Sequence, residues 1–402
     1  METLARTVDA EIEASREALL ELCAGLVGVA SMSPPGKTAG VAEIVGAFLR
    51  KGGLSPETLA ERPEAPNVVA HVHGRAAGPR VVFNAHMDTM QPGDESRWTV
   101  PILTLTRREG RLYGLGMGNM KGALAAMCLA ATVLRRHARA FDGCLTLTAV
   151  SDEVMFGEGG SAYLLRTRSE LRGDFLLSGE GPGFMELAPA EKGLLWLDLE
   201  ADGDGGHSSR ARTGKTAAAK LAAVLSRIDG VNDAYATIPG ELEGVTGGTD
   251  NNGLRVSLNA GTVAAGGVRS LIAPWARAEV DVRLPPGVAA DAIEARVREA
   301  AADAGVSVKR VKAWDANWTA LDNPLIVALS EAAAAVRGKP PRLVVRLPGS
   351  DARRWRELGV PAACYGPQPT LSAGVDDYAN EQDVVDCAKV YARAALALLR
   401  AS

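Results

Sequence analysis

The chain has 402 residues, too many for one ordinary hydrophobic core, so two domains are expected. Apolar residues make up 47%, as in a soluble globular protein, and a net charge of -4 leaves no basic footprint for nucleic acid. No apolar run approaches the roughly 18 residues that a membrane span needs, so neither nucleic acid nor membrane is an expected partner.

The acidic, amphipathic start METLARTVDAEIEASREALL reads as a surface helix rather than a signal peptide. Helical spacing continues over residues 8–29 until Ser31-Met32-Ser33-Pro34-Pro35-Gly36 breaks it, and a second helix covers Thr38 to Leu49. The stretch from Asn67 to His73 alternates as a half-buried strand should, with His71 and His73 on one face and reading as surface residues. Val81-Val82-Phe83 reads as a buried strand that ends in Asn84-Ala85-His86-Met87-Asp88. Function in open α/β sheets collects at the carboxyl ends of strands, where an imidazole and a carboxylate two residues on can serve as a metal ligand and its neighbour. Glycines from Gly114 to Gly122 allow tight turns before an Ala/Leu/Met-rich helix that starts at Ala123. The strand ending in Ser151-Asp152-Glu153 and the strand ending in Ser178-Gly179-Glu180 repeat the device, so three strands deliver His86, Glu153 and Glu180 toward one sheet edge.

Near Glu191-Lys192-Gly193 the pattern changes. A strand over Leu194 to Glu200, a helix from Thr216 to Ile228, alternating strands over Arg255 to Ala260 and Ala276 to Arg283, and a helix from about Ala290 to Ala304 suggest an inserted ferredoxin-like α+β unit. A helix over 323–336, the segments around Gly349-Ser350-Asp351 and Val360 to Pro367, and a last helix from Asp383 to Leu399 return to the first domain. The expected division is 1–190 and 313–402 for a catalytic domain, with 191–312 as the insertion. The five cysteines (Cys23, Cys128, Cys144, Cys364, Cys387) show no C-x-x-C pair, which suggests reduced thiols and a cytoplasmic location.

His86-Met87-Asp88, Trp98, Pro101 and Met120-Lys121-Gly122 fall in register with the motifs of a known family. The chain resembles the zinc aminoacylase and carboxypeptidase metallopeptidases, which include acetylornithine deacetylase and succinyl-diaminopimelate desuccinylase, and the match extends over nearly its whole length. The resemblance implies an α/β, mixed-sheet catalytic domain with an inserted lid and dimerisation domain, and a homodimer or higher homo-oligomer acting on a small-molecule substrate. Family members typically hold two metal ions. Carried over by position, His86 and Glu180 match the ligands private to the first ion, Asp88 matches the residue that orients the histidine, and Glu153 matches the general base.

The remaining ligands are altered. The bridging aspartate of the family is Asn119 here, the second glutamate of a Glu-Glu pair is Val154, and Gly374 stands where a C-terminal histidine would be. Both ligands private to the second ion are gone, which implies a single divalent transition metal held by His86, Glu180 and the Asn119 amide oxygen. Nitrogen and oxygen donors without thiolate suit Zn, Mn or Co. His207, in Gly-Gly-His-Ser-Ser, matches a lid histidine that polarises the scissile group across the dimer. Arg283 matches a family landmark and could bind a substrate carboxylate; Asn251, Arg346 and Arg353 are further substrate-contact candidates.

The expected activity is therefore hydrolysis of a C–N bond in a small carboxylate-bearing substrate with one ion. One offshoot of the family hydrolyses the amino group of 5-nitroanthranilate to give 5-nitrosalicylate, and the altered ligand set is compatible with that chemistry. The alternatives are deacylation or dipeptide cleavage of N-acyl amino acids, and a catalytically inactive relative that binds a small molecule.

Overall fold

The computed structural model describes residues 2–369 and 374–400. The chain forms two compact units, one from residues 1–189, 318–343 and 350–402 and the other from 190–317 and 344–349. The insertion therefore runs five residues beyond the expected end at 312, and it recruits Val344–Gly349, a segment that sequence placed in the catalytic domain. The reason is local pairing: Val345 N–H donates to the Thr246 carbonyl at 3.0 Å, and Lys192 N–H donates to the Arg346 carbonyl at 3.0 Å.

The main sheet of the first unit runs, in spatial order, Glu57–Leu59, Asn67–His73, Cys144–Val150, Arg80–His86, Phe175–Ser178, Ala362–Tyr365 and Leu187–Glu191. Arg80–His86 is buried at every position after the first, which its continuous apolar run dictates for a central parallel strand. It pairs in parallel with Cys144–Val150 from Arg80 opposite Cys144 to His86 opposite Val150. On its other side Asn84 stands opposite Ser178. This register is the reason the site exists. With His86 level with Val150, and Ser178 level with Asn84, the residues that follow each strand, Glu153 and Glu180, emerge beside the imidazole.

Helices cover the sheet. Gly122–Arg136 is buried on all faces through Leu134, and Glu381–Leu398 packs its apolar side against the same core. The stretch Met117–Arg136 is long and apolar enough to cross a bilayer, contrary to the expectation from sequence, yet 94% of its apolar 18-residue window is buried within the protein. It is the core helix of a globular unit. The Tyr391 ring of the last helix packs tilted against Phe83, centroids 5.9 Å apart, and its hydroxyl donates to the Tyr365 carbonyl at 2.7 Å, joining helix to sheet. The helix Pro324–Arg337 is closed at both ends, by the Asn323 side chain accepting from Leu325 N–H and by left-handed Gly338.

The second unit carries a four-stranded antiparallel sheet, in the order Ser257–Ala265, Trp275–Leu284, Gly193–Asp202, Val306–Trp314, with helices Ala217–Asp229 and Ala290–Ala302 packed on one core. This is the ferredoxin-like α+β unit that the sequence pattern predicts. All five cysteines are free.

Gly366 closes the turn after Ala362–Tyr365, and a Cβ there would run into the Gly179 carbonyl oxygen, beside Glu180. Gly366→Ala is expected to lower unfolding free energy by about 1–3 kcal/mol through this overpacking. Urea unfolding followed by circular dichroism measures it, and an unchanged midpoint would refute the close approach.

Candidate metal centre

His86, Glu153 and Glu180 converge, each buried, with ligand atoms all within 4.8 Å of one another. The His86 Nδ1–H donates to the Asp88 backbone carbonyl at 2.7 Å, which aims Nε2 into the pocket. There Nε2 lies 2.8 Å from Asn119 Oδ1, 3.3 Å from Glu180 Oε1 and 3.7 Å from Glu153 Oε2. The four residues that the sequence placed at the metal and its base are thus assembled by the fold.

Asn119 reaches the site from an irregular turn, Met117–Lys121, that precedes the core helix. Gly116 opens that turn at φ +82°, where a side chain would also strike Thr89. Asp377, in the C-terminal segment, accepts from Gly116 N–H at 2.9 Å and anchors the turn. Burial pushes the Asp377 carboxyl up to about 7, against the pull of the Gly116 and Gly118 amides.

Asp88 acts differently from expectation. Its carboxylate is 3.7 Å from His86 Nδ1, and instead accepts backbone N–H groups of Glu153 at 3.3 Å and Val154 at 3.0 Å. It orients the histidine through its main chain and ties down the base loop through its side chain. Asp152 shapes the same loop with a left-handed backbone (φ +60°) and a carboxylate that accepts from Gly159 N–H at 3.0 Å.

The electrostatics are lopsided. Burial alone would strip the proton from His86, but the hydrogen bond to Glu180 and the charges of Glu153, Glu180 and Asp88 hold its pKa well above the usual value. Burial raises Glu153 well above the usual carboxylate range, and the charges of Glu180, Asp351 and Asp88 push the same way. Glu153 Oε1 is buried with no hydrogen-bond partner. A buried pocket with surplus carboxylate charge, one imidazole and an orphaned oxygen fits a bound cation.

Asp351 is the residue that sequence reasoning missed. It is 7% exposed, and its Oδ2 accepts from Ser161 Oγ–H at 2.6 Å. Ser161 Oγ accepts in turn from Asn84 Nδ2 at 3.1 Å, two residues before His86 on the same strand. The Gly349-Ser350-Asp351 segment is visible in the sequence, but nothing in its spacing links it to Glu153.

The substrate-contact candidates and His207 divide between the two units. Arg353, in the first unit, pairs with Glu357 on its own helix at 2.7 Å. Arg346, His207, Arg283 and Asn251 belong to the second unit. Arg346 is buried and donates to the Pro348 and Gly349 carbonyls. Arg283 holds both Asp281 oxygens at 2.8 Å. His207 is exposed, with Nδ1 2.8 Å from Ser209 Oγ, and Asn251 takes a left-handed backbone at φ +55°. Among the altered ligands, the Val154 side chain offers no donor and Gly374 has none to offer, while Ser372 and Ala373 beside it lie outside the described residues.

Comparison with known proteins shows the family. The sequence profile of peptidase family M20/M25/M40 matches residues 82–397. The chain is similar to a succinyl-diaminopimelate desuccinylase of Alkalilimnicola ehrlichii, 26% identical over 92% of this chain and 96% of that protein. It is also similar to a protein of Ajellomyces dermatitidis named "Probable carboxypeptidase", 31% identical over 62% of this chain; the match spans only 55% of that relative. Its fold is that of human carnosine dipeptidase 1, with a TM-score of 0.80 at 15% identity over 98% of this chain and 99% of the other.

Replacing Asp88 by Asn leaves one of the two loop amides facing an NH2 group instead of an acceptor. Asp88→Asn is expected to weaken metal binding about 10- to 100-fold. Titration with a chelator-buffered divalent ion measures this, and unaltered affinity would remove Asp88 from the role given to it.

Proposed function

The chain belongs to peptidase family M20/M25/M40, and on that footing we propose that it is a hydrolase that cleaves a C–N bond of a small carboxylate-bearing substrate with one divalent ion. The observation that carries this reading is the selective survival of donors. His86, Glu180 and the Asn119 amide oxygen surround one position, while Val154 and Gly374 offer nothing to a second ion. Zn, Mn and Co suit this nitrogen and oxygen donor set.

When bound, the ion would supply a strong local positive charge that lowers the pKa of water toward about 7. Glu153 then has the role of proton carrier. Its carboxylate is buried against the same position and carries an unpartnered oxygen, so it can take a proton from the attacking water and deliver it to the leaving nitrogen. Burial and neighbouring carboxylates favour its protonated form, which suits holding that proton between the two transfers. His86 keeps its orientation throughout because Nδ1 is tied to the Asp88 carbonyl.

An amide bond, in an N-acyl amino acid or a dipeptide, is the substrate that the names of the relatives support. Hydrolytic deamination of an aromatic amine such as 5-nitroanthranilate makes the same demands on one ion and one base, and is the alternative within the same site. The reading includes a homodimer, supported by the exposed edge strand Ser257–Ala265, and a reducing cytoplasmic setting, supported by the free cysteines. Arg283, Arg346, Arg353 and Asn251 remain its candidates for substrate contact, and His207 its candidate for polarising the scissile group across the dimer.

A panel of N-acyl amino acids, dipeptides and aminobenzoates, assayed for released amine or ammonia, tests the proposal together with Glu153→Gln. The wild type is expected to turn over at least one class. The variant should lose about 100- to 10,000-fold in kcat with KM little changed. Full activity in Glu153→Gln, or no turnover of any class by the metal-loaded wild type, would sink the reading; the latter outcome would favour an inactive binding relative.

A further inference from the structure

On the opposite flank of the first unit, the strand pair Asn67–His73 and Cys144–Val150 carries a second group of metal-binding side chains. The pairing is antiparallel, with His73 directly opposite Cys144 and His71 opposite Thr146. Residues two apart on a strand share a face, and directly opposed residues share it too. His71, His73, Cys144 and Thr146 therefore form a compact square on one face of the sheet. We propose that His71, His73 and Cys144 form an accessory site for a thiolate-accepting divalent ion of the zinc type, separate from the His86 centre.

The approach of His71 to Cys144 supports it. His71 Nδ1 lies 4.0 Å from Cys144 Sγ and 3.0 Å from Thr146 Oγ1. A tetrahedral zinc ion with bonds of about 2.0 Å to nitrogen and 2.3 Å to sulfur holds those two atoms roughly 3.5 Å apart, so the pair needs only a small closure. The imidazoles of His71 and His73 stack with centroids 5.7 Å apart, and His73 is exposed, so a side-chain rotation turns its ring nitrogen toward the other two. On its other side His71 Nε2 lies 3.9 Å from Glu57 Oε1, an oxygen that Arg168 also engages. A carboxylate behind the outer nitrogen of a histidine is the arrangement that fixes a ligand's tautomer and raises its basicity.

Space is present as well. A cavity of about 350 Å³ lies beside the two histidines, which line it with Gly53, Leu54, Ser55 and Arg135. Burial raises the Cys144 thiol pKa, so the ion would bind by displacing its proton, and Arg135 sets a limit on affinity by adding positive charge nearby. The other cysteines, Cys23, Cys128, Cys364 and Cys387, are buried. None is within hydrogen-bonding reach of a histidine among the described residues. A thiolate signal would therefore report on Cys144 alone.

Cobalt(II) is the probe, because a thiolate ligand gives it an intense near-ultraviolet charge-transfer band that imidazole and carboxylate do not. The full-length protein titrated with cobalt(II) should show the band, and His86→Ala should retain it. Cys144→Ser should abolish it, and His73→Ala, an exposed change that leaves the fold intact, should weaken cobalt binding at this site at least 10-fold. No band in the wild type, a band that survives Cys144→Ser, or unchanged affinity in His73→Ala would each overturn the proposal.

Discussion

A surplus of carboxylate around one buried imidazole is the constraint on which the rest of the first unit turns. His86 and Glu180 are each 2% exposed and Glu153 is 8% exposed, and Asp88 and Asp351 stand behind them. Such a group is stable only if protons or a cation neutralise it. The fold imposes the arrangement through strand register: Arg80–His86 lies between two parallel neighbours whose following loops turn the same way. Moving any of these strands by one residue would send its ligand to the other face of the sheet.

The site is as much defined by what is absent from it as by what remains. On the proposed reading, an amide stands at Asn119 where the resembling family carries a charge, and apolar or missing side chains stand at Val154 and Gly374. Two fewer anionic donors would lessen the repulsion that the buried cluster must absorb and leave little to hold a second cation nearby. The proposed site is then a half-site with its base. Asp88 joins the halves of that machinery, because its carbonyl aims the histidine while its carboxylate holds the loop that carries Glu153. Asp351, through Ser161 and Asn84, ties the late C-terminal segment to the strand that carries His86.

Much of this was legible in the residues. His86, Glu153 and Glu180 follow short apolar runs, and strand-end chemistry is a local pattern that sequence exposes well. The inserted unit was equally readable from its change of periodicity. What escaped was set by long-range packing. Asp351 meets Ser161 across 190 positions, and no spacing rule reaches that far. Val344–Gly349 belongs to the second unit because of pairing with Thr246 and Lys192, which composition does not reveal. The split role of Asp88 depends on which of its oxygens faces the imidazole, a matter of backbone geometry. His71 and His73 looked like surface residues from their own strand, and only the neighbouring strand shows that Cys144 stands beside them.

Anomalous scattering from a crystal of the zinc-loaded protein, recorded at the metal's absorption edge, addresses the central claim directly. One peak is expected in the first unit's pocket, within bonding distance of His86 Nε2 and Glu180. Two peaks in that pocket, about 3.5–4 Å apart as in two-metal hydrolytic sites, or a lone peak that touches neither residue, would contradict it.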